Sequence, residues 1–533
     1  MINLSPQNPS PSNSPSPEIT ALLNTAIAQH QAGQLAQAEQ IYRQILQQQP
    51  QNVDAIALLG VIACQHHRLE DGIALYRQAL ALRPDHRQAR ENLNLALFKH
   101  GRELIDEAIK TLNLMANMQP SNPHPHILLG SLYHEQSLLD QALSHFQLAL
   151  DINPANADLL NRIGVVLQQQ GKGYLAVHFH ERSLNLQPNN VDTLISLGKA
   201  MMDQGKTAIA LDYLKRALAL QPNHAIARYN RAILLLQSGQ FQEGFVEYEW
   251  RLKTNEFPPC PFTQPLWDGS NLQGKTLLLH AEQGLGDTLQ FIRYAPLAAQ
   301  RGGRVILTCH RPLMRLLSGV PGIDQITPLG TPLPEFHVYA PLLSLPGIFG
   351  TTLATVPAQV PYLRPTSPDF TLPRPLNPQA KLKVGIVWAG GNLYKRNQVR
   401  SCALADYAPV LAVPQVAFYS LQKGIPQTEI AALAWQHQLQ DLAPQLRDMA
   451  DTAAAIAQLD HVITVDTSVA HLAGALGKPV WVLLTKTPDW RWLCDRPDSP
   501  WYPTMRLFRQ TVENDWASVM QAVAIALTQQ LQS

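Results

Sequence analysis

The 533-residue chain carries little net charge: 41 Lys and Arg stand against 40 Asp and Glu, leaving +1. It has no long basic run, which argues against nucleic acid as the main partner. It has no apolar run of ~18 residues, so no membrane-spanning helix is expected. Its first residues lack the basic start and apolar core of a secretory signal. The five cysteines, Cys64, Cys260, Cys309, Cys402 and Cys494, are scattered, odd in number and without a C-x-x-C pair. That pattern speaks against a disulfide framework or a thiolate zinc site and fits free thiols in a reducing cytoplasm. The close histidines, His66-His67, His124/His126 and His178/His180, fall in helical stretches or turns. Local packing or solvation is the default for them, not a metal.

What is present begins with a tail. Residues 1–18 are rich in Ser, Pro and Asn and have almost nothing to bury, so they read as disordered. The length is too great for one core, and at least two or three domains are expected.

Residues 19–255 repeat. Prolines fall at Pro50, Pro84, Pro120, Pro154, Pro188 and Pro222, in steps of 34, 36, 34, 34 and 34. Twelve residues before each is a small residue: Ala38, Gly72, Ala108, Ala142, Ala176 and Ala210. Four residues later comes Tyr42, Tyr76, Leu112, Phe146, His180 or Leu214, mostly bulky. Further small residues, Ala26, Gly60, Gly130, Gly164 and Gly198, precede several of these. Small side chains let two antiparallel helices approach, and the bulky residue fills the gap to the next pair. Glycines at Gly33, Gly101, Gly171, Gly205 and Gly239 are placed in the turn between helices. The two extra residues of the third repeat are expected just after Gly101, in that turn, where an insertion costs least.

Residues 256–274 are proline-punctuated and read as a linker. From Lys275 the period changes to strand, helix, strand. Strands are expected at Thr276 to His280, Arg304 to Cys309, Gln325 to Thr327 and Val338 to Ala340, with a helix from Thr288 to Gln300. The loop A-E-Q-G-L-G-D ends in Asp287, which would open that helix. Its third dinucleotide-fingerprint glycine would fall at Leu289, so a nicotinamide site is excluded. The proline-rich stretch from Pro357 to Pro378 reads as a linker between two α/β halves, 275–370 and 371–533.

The second half opens with a strand at Val384 to Trp388, a glycine loop and the cations Lys395 and Arg400. A strand at Val416 to Leu421 runs into Gln422 and Lys423. D-H-V-I-T-V-D-T-S-V-A-H-L-A-G-A-L-G-K-P-V-W-V-L-L, from Asp460 to Leu484, then reads as strand, helix, strand. Such a unit sets a helix N-terminus, at Asp466, Thr467 and Ser468, on the carboxyl edge of a sheet, where amides and the helix dipole favour phosphate. His471 lies just over one turn further on. A closing helix is expected at about Trp516 to Gln530.

These residues carry resemblances to known families. The repeats resemble the tetratricopeptide repeat family, about seven copies with a period of ~34 residues. That resemblance implies an α superhelix whose groove takes a protein or peptide. Lys275 to about Gln510 is similar to the bacterial heptosyltransferase-type glycosyltransferases of family 9, which implies an α/β GT-B fold of two Rossmann-like domains. G-L-G-D at Gly284 to Asp287 is similar to that family's first-domain loop, whose Asp is its expected general base. Gly284 and Gly286 would bring backbone to the donor. D-T-S-V-A-H-L-A-G-A is similar to the second-domain motif that binds the donor diphosphate, with Asp466, Thr467 and His471 matching and Ser468 standing in place of Gly. His471 would donate to phosphate or hold Asp466, unless it is a buried structural histidine. Lys395, Arg400, Gln422 and Lys423 complete the implied donor set.

The layout also resembles protein O-GlcNAc transferases, in which repeats deliver an acceptor. Here the ladder position holds Asn24, Asn92 and Asn230, interrupted by Leu58, Leu128, Arg162 and Ser196. The resemblance thus implies inverting, metal-independent transfer of a sugar from a nucleotide-sugar donor, with no cofactor. The alternative is a non-catalytic scaffold or nucleotide-sugar sensor on the same fold.

Overall fold

The computed structural model describes residues 17–255, 257, 261–391 and 397–532. Cys260 and Lys395 therefore lie outside the described residues. The chain separates into two compact units, 1–172 and 173–533. No helix among the described residues is long and apolar enough to cross a membrane. Cys64, Cys309, Cys402 and Cys494 are free thiols.

The first unit is a run of helical repeats. Pro17–Gln31 packs with Leu35–Gln48, Val53–Gln65 with Leu69–Leu82, and His124–Glu135 with Leu139–Ile152. The small residues do what their spacing implies. A methyl group on Gly130 would come within 2.5 Å of the Phe146 ring, and one on Gly60 within 2.8 Å of the Tyr76 ring. Both rings are buried. The turns between paired helices need left-handed backbone, supplied by Gly33 at φ 78° and Gly171 at φ 77°, and by His67 and Ser137 at the equivalent positions.

The third repeat departs from expectation. Arg87–Met118 is one 32-residue helix, and Gly101 lies inside it instead of in a turn. Gly101 is not among the left-handed glycines. The R-E-L-I-D-E-A-I-K run after it consists mainly of good helix formers, whose preference outweighs one internal glycine at ~1 kcal/mol. Ala108 and Leu112 are correspondingly only half-buried, unlike their counterparts.

The second unit starts with the last repeats: Gly173–Leu186, Val191–Asp203, Thr207–Leu220, Ala225–Gln237 and Phe241–Tyr248, closed by the 3₁₀ turn Glu249–Lys253. Two parallel sheets follow. The first has β1 (Thr276–His280), β2 (Arg304–Cys309), β3 (Gln325–Pro328) and β4 (Val338–Pro341), in the order β3-β2-β1-β4. The second has β5 (Leu382–Val387), β6 (Val416–Ser420), β7 (Leu439–Asp441), β8 (His461–Val465), β9 (Val480–Leu484) and β10 (Met505–Arg509), in the order β10-β9-β8-β5-β6-β7. Sequence reasoning missed β7, β10 and the Met449–Gln458 helix. Its long helix from Thr288 breaks into Leu285–Phe291, a 3₁₀ turn and Ala295–Ala299, because Pro296 lacks the N–H that would continue it.

Strand order reverses at β1 in the first sheet and between β5 and β8 in the second. A crevice opens at such points beyond the carboxyl ends of the strands. The loops after β1, β5 and β8 are the three that carried the sequence motifs. One continuous apolar core joins the two sheets and the last repeat. Phe241 stacks on Trp501 at 5.6 Å, Phe245 meets Trp490 edge-on at 5.7 Å, and Phe291 meets Trp501 at 5.7 Å. The proline-rich stretch is pinned rather than loose: the N–H groups of Tyr362 and Leu363 donate to the Ala475 carbonyl at 3.0 and 3.2 Å.

Candidate active site

The loop after β1 is anchored from behind. Glu282 accepts from the Leu342 N–H at 3.1 Å and from Arg251 of the closing 3₁₀ turn at 3.0 Å. Arg251 is fully buried and also bonds Glu249 and Ser344. Burial pulls its pKa down, but the carboxylates of Glu249 and Glu282, with Tyr248, outweigh that and raise it. The repeat therefore sets the stem of the loop that carries Asp287.

Asp287 is the third residue of its helix, not the residue that caps it. Gly284 is the cap, and its N–H donates to Asp287 Oδ2 at 2.9 Å. The other oxygen, Oδ1, pairs with Arg491 of the second half at 2.5 Å. Gly286 explains how the halves meet. A methyl there would sit 2.9 Å from the His471 ring and 3.5 Å from Ser468 Cα. Only glycine lets the first loop lie on the start of the Ser468–Ala475 helix. Gly284, Gly286, Asp287, Ser468 and His471 are thus brought together.

Across this seam, Thr467 caps the helix: its hydroxyl accepts from the Val469 N–H at 3.3 Å and shares a hydrogen bond with Thr464. Asp466 is mostly enclosed. Burial, then the negative charge of Asp489, pushes its carboxyl up to about 6, with Arg400, the Trp492 indole and Arg491 opposing. His471 is buried, stacked on Trp492 at 5.2 Å, and bonded through Nδ1 to the Tyr502 hydroxyl at 2.9 Å. Burial, with help from nearby arginines, drops its pKa to about 3, so the ring is neutral. Its Nδ1 goes to Tyr502 and not to Asp466; of the roles the sequence left open, donating to phosphate, holding Asp466 or a buried structural histidine, this packing is that of the last.

Two other residues expected beside the donor are committed to backbone instead. Gln422 is buried, accepting from the Trp388 and Ala389 N–H groups and donating to the Ala389 and Lys423 carbonyls. Lys423 donates to the Ala443 and Leu446 carbonyls at 2.9 and 2.6 Å. Both hold loops in shape, because a polar side chain at a strand's end meets unsatisfied backbone before it meets a ligand. Arg400 stays at the site. Its guanidinium lies so close to Gly390 that a methyl there would approach it within 2.7 Å.

Arg491 is the residue sequence reasoning missed. Buried, it reaches Asp287, Asp489 at 2.7 Å and Gln290 at 2.9 Å, and lies over the Trp490 ring at 4.4 Å. The one available signal was a lone cation inside W-R-W. A small, open hollow adjoins this network, lined by Arg400, Asp466, Thr485, Thr487, Pro488 and Asp489 among others. Among the described residues no group of three or more His, Cys, Asp or Glu could hold a metal ion.

Loops at two sheet reversals, with an acid on one side and a helix N-terminus on the other, define a two-lobed α/β site next to the last helical repeats. Comparison with known proteins is specific on both parts. Residues 29–90, 130–171 and 195–251 match tetratricopeptide repeat families, and residues 415–521 match the family described as glycosyltransferase family 9 (heptosyltransferase). The chain thus carries tetratricopeptide repeats and a family 9 glycosyltransferase domain. Protein FlbA of Caulobacter vibrioides is 29% identical over 343 residues, 57% of this chain and 55% of its own length. The chain therefore spans about half the length of that curated relative. Among solved structures, YrrB, a TPR protein with an unusual peptide-binding site, is 16% identical, covering 40% of this chain and 92% of its own at a TM-score of 0.21. TTC0263, a thermophilic TPR protein of Thermus thermophilus, is 22% identical, covering 34% of this chain and 99% of its own at a TM-score of 0.23.

Proposed function

We propose that this chain transfers a sugar from a nucleotide-sugar donor to an acceptor hydroxyl, with a protein or peptide held by the repeats. The observation that carries the reading is the family 9 match, together with the packing of the Gly284–Asp287 loop on the Ser468–Ala475 helix. Asp287 takes the hydroxyl proton as the new C–O bond forms, a role worth ~10²–10⁴-fold in rate. The bond from the sugar's anomeric carbon to phosphate breaks on the opposite side, which inverts that carbon. Arg400 and the amides at the start of the helix receive the departing diphosphate. Arg491 holds Asp287 Oδ1 and aims the carboxylate. No cofactor or metal is required by this scheme, and a reducing cytoplasm suits its free thiols.

The ion pair also favours a second reading. Both oxygens of Asp287 are engaged, one by the Gly284 N–H and the other by Arg491, and neither is left open to an acceptor hydroxyl. A nucleotide-sugar sensor would tolerate that arrangement. Thermal stabilisation by a panel of nucleotide sugars, followed by assay of donor hydrolysis and transfer, separates the two. Binding with turnover that Asp287→Asn abolishes, while donor binding persists, supports the transferase. Binding without turnover supports the sensor, and no binding removes both.

A further inference from the structure

One loop that lines the hollow beside Asp466 is held from behind by the repeats. Gln237 ends the Ala225–Gln237 helix and is buried, and its Nε2 donates to the Pro488 carbonyl at 2.8 Å, 251 residues away in sequence. The Thr487 hydroxyl lies 3.4 Å from the Asp203 carbonyl, at the end of Val191–Asp203. The turn that follows passes Thr487 at Gly205, where a methyl would lie 3.7 Å from the hydroxyl. Thr487, Pro488 and Asp489 all line the hollow. Asp489 also accepts from Arg491, which holds Asp287. A repeat side chain thus holds a loop that lines the hollow and, through Arg491, is linked to the acid.

From this geometry we infer that Gln237 is a positioning residue for the donor: the last repeats shape the diphosphate pocket as well as any acceptor groove. The inference rests on the glycosyltransferase reading above. Physically, the loop from Thr485 to Asp489 has no strand or helix of its own. Its carbonyl at Pro488 is satisfied in the buried joint by Gln237, and losing that donor leaves an acceptor unpaired. The loop would then relax away from the position that sets Asp489 against Arg491.

The test uses the full chain and the nucleoside diphosphates UDP, GDP, ADP, CDP and dTDP, titrated calorimetrically well below the melting temperature. Gln237→Met keeps the side-chain volume and removes the donor. Gly198→Ala is the control. It strains the same repeats, since its methyl would come 2.9 Å from Leu214, but does not touch the loop. The expected result is a tenfold or greater loss of affinity for the preferred diphosphate in Gln237→Met, with Gly198→Ala binding as the unaltered chain does even where it melts lower. Unchanged binding by Gln237→Met, or an equal loss in both variants, overturns the inference. Failure of the unaltered chain to bind any of the five overturns the donor reading itself and this inference with it.

Discussion

At the scale of single residues, the site is a balance of charges in a poorly solvated seam. Asp466 is the informative one. A carboxyl whose pKa rises from 3.8 to about 6 favours the fold while protonated, and that contribution fades as pH climbs from about 4 through about 6. Above pH 6 the native state carries a charge it would rather not hold. Asp466→Asn is therefore expected to stabilise the chain at pH 8 by roughly 2–3 kcal/mol and to have little effect at pH 4, read from melting curves at the two pH values. Asp287, Asp466, Thr467, Ser468 and His471 were legible in the sequence because a strand, a turn and a helix start are local features with local spelling. Arg491 was not, because its partner Asp287 lies 204 residues away. Gln422 and Lys423 were misread for a related reason: residue type at a strand end does not say whether a side chain turns to ligand or to backbone.

At the scale of elements, the repeats were legible from proline spacing, and the buried strands from their β-branched runs. β10 was missed because M-R-L-F-R mixes arginine with apolar residues, and β7 because three residues make no period. The continuous helix at Gly101 gives a sharp test. Gly101 has open space around it and no left-handed backbone. Gly101→Ala should then stabilise by about 0.5–1 kcal/mol in denaturant unfolding, whereas a turn at that position would make the same change destabilising. Gly130→Ala should do the opposite, costing roughly 1–3 kcal/mol, because its methyl meets the Phe146 ring.

At the scale of the whole molecule, buried histidines set the response to acid. Burial depresses His180, His280 and His461 to about 4 and His471 to about 3. A lowered pKa contributes stability that is complete above 6.5 and lost as pH falls toward those values. Four such groups outweigh the opposite trend of Asp466, so the melting temperature should drop steadily between pH 6.5 and 4. A flat profile over that range would show these rings to be charged or exposed in the native state.

The aromatic joint has a practical corollary for anyone who cuts or grafts this protein. Phe241 and Phe245 sit on the last repeat, yet their neighbours are Trp490 and Trp501 near the far end of the chain. A truncation at the prolines after Arg251 would strip the lobes of rings they need to stay dry. A chimera that swaps in a foreign arm must keep the closing repeat with its lobes, so the usable splice point falls upstream among the helices, well before the place where composition alone would draw it.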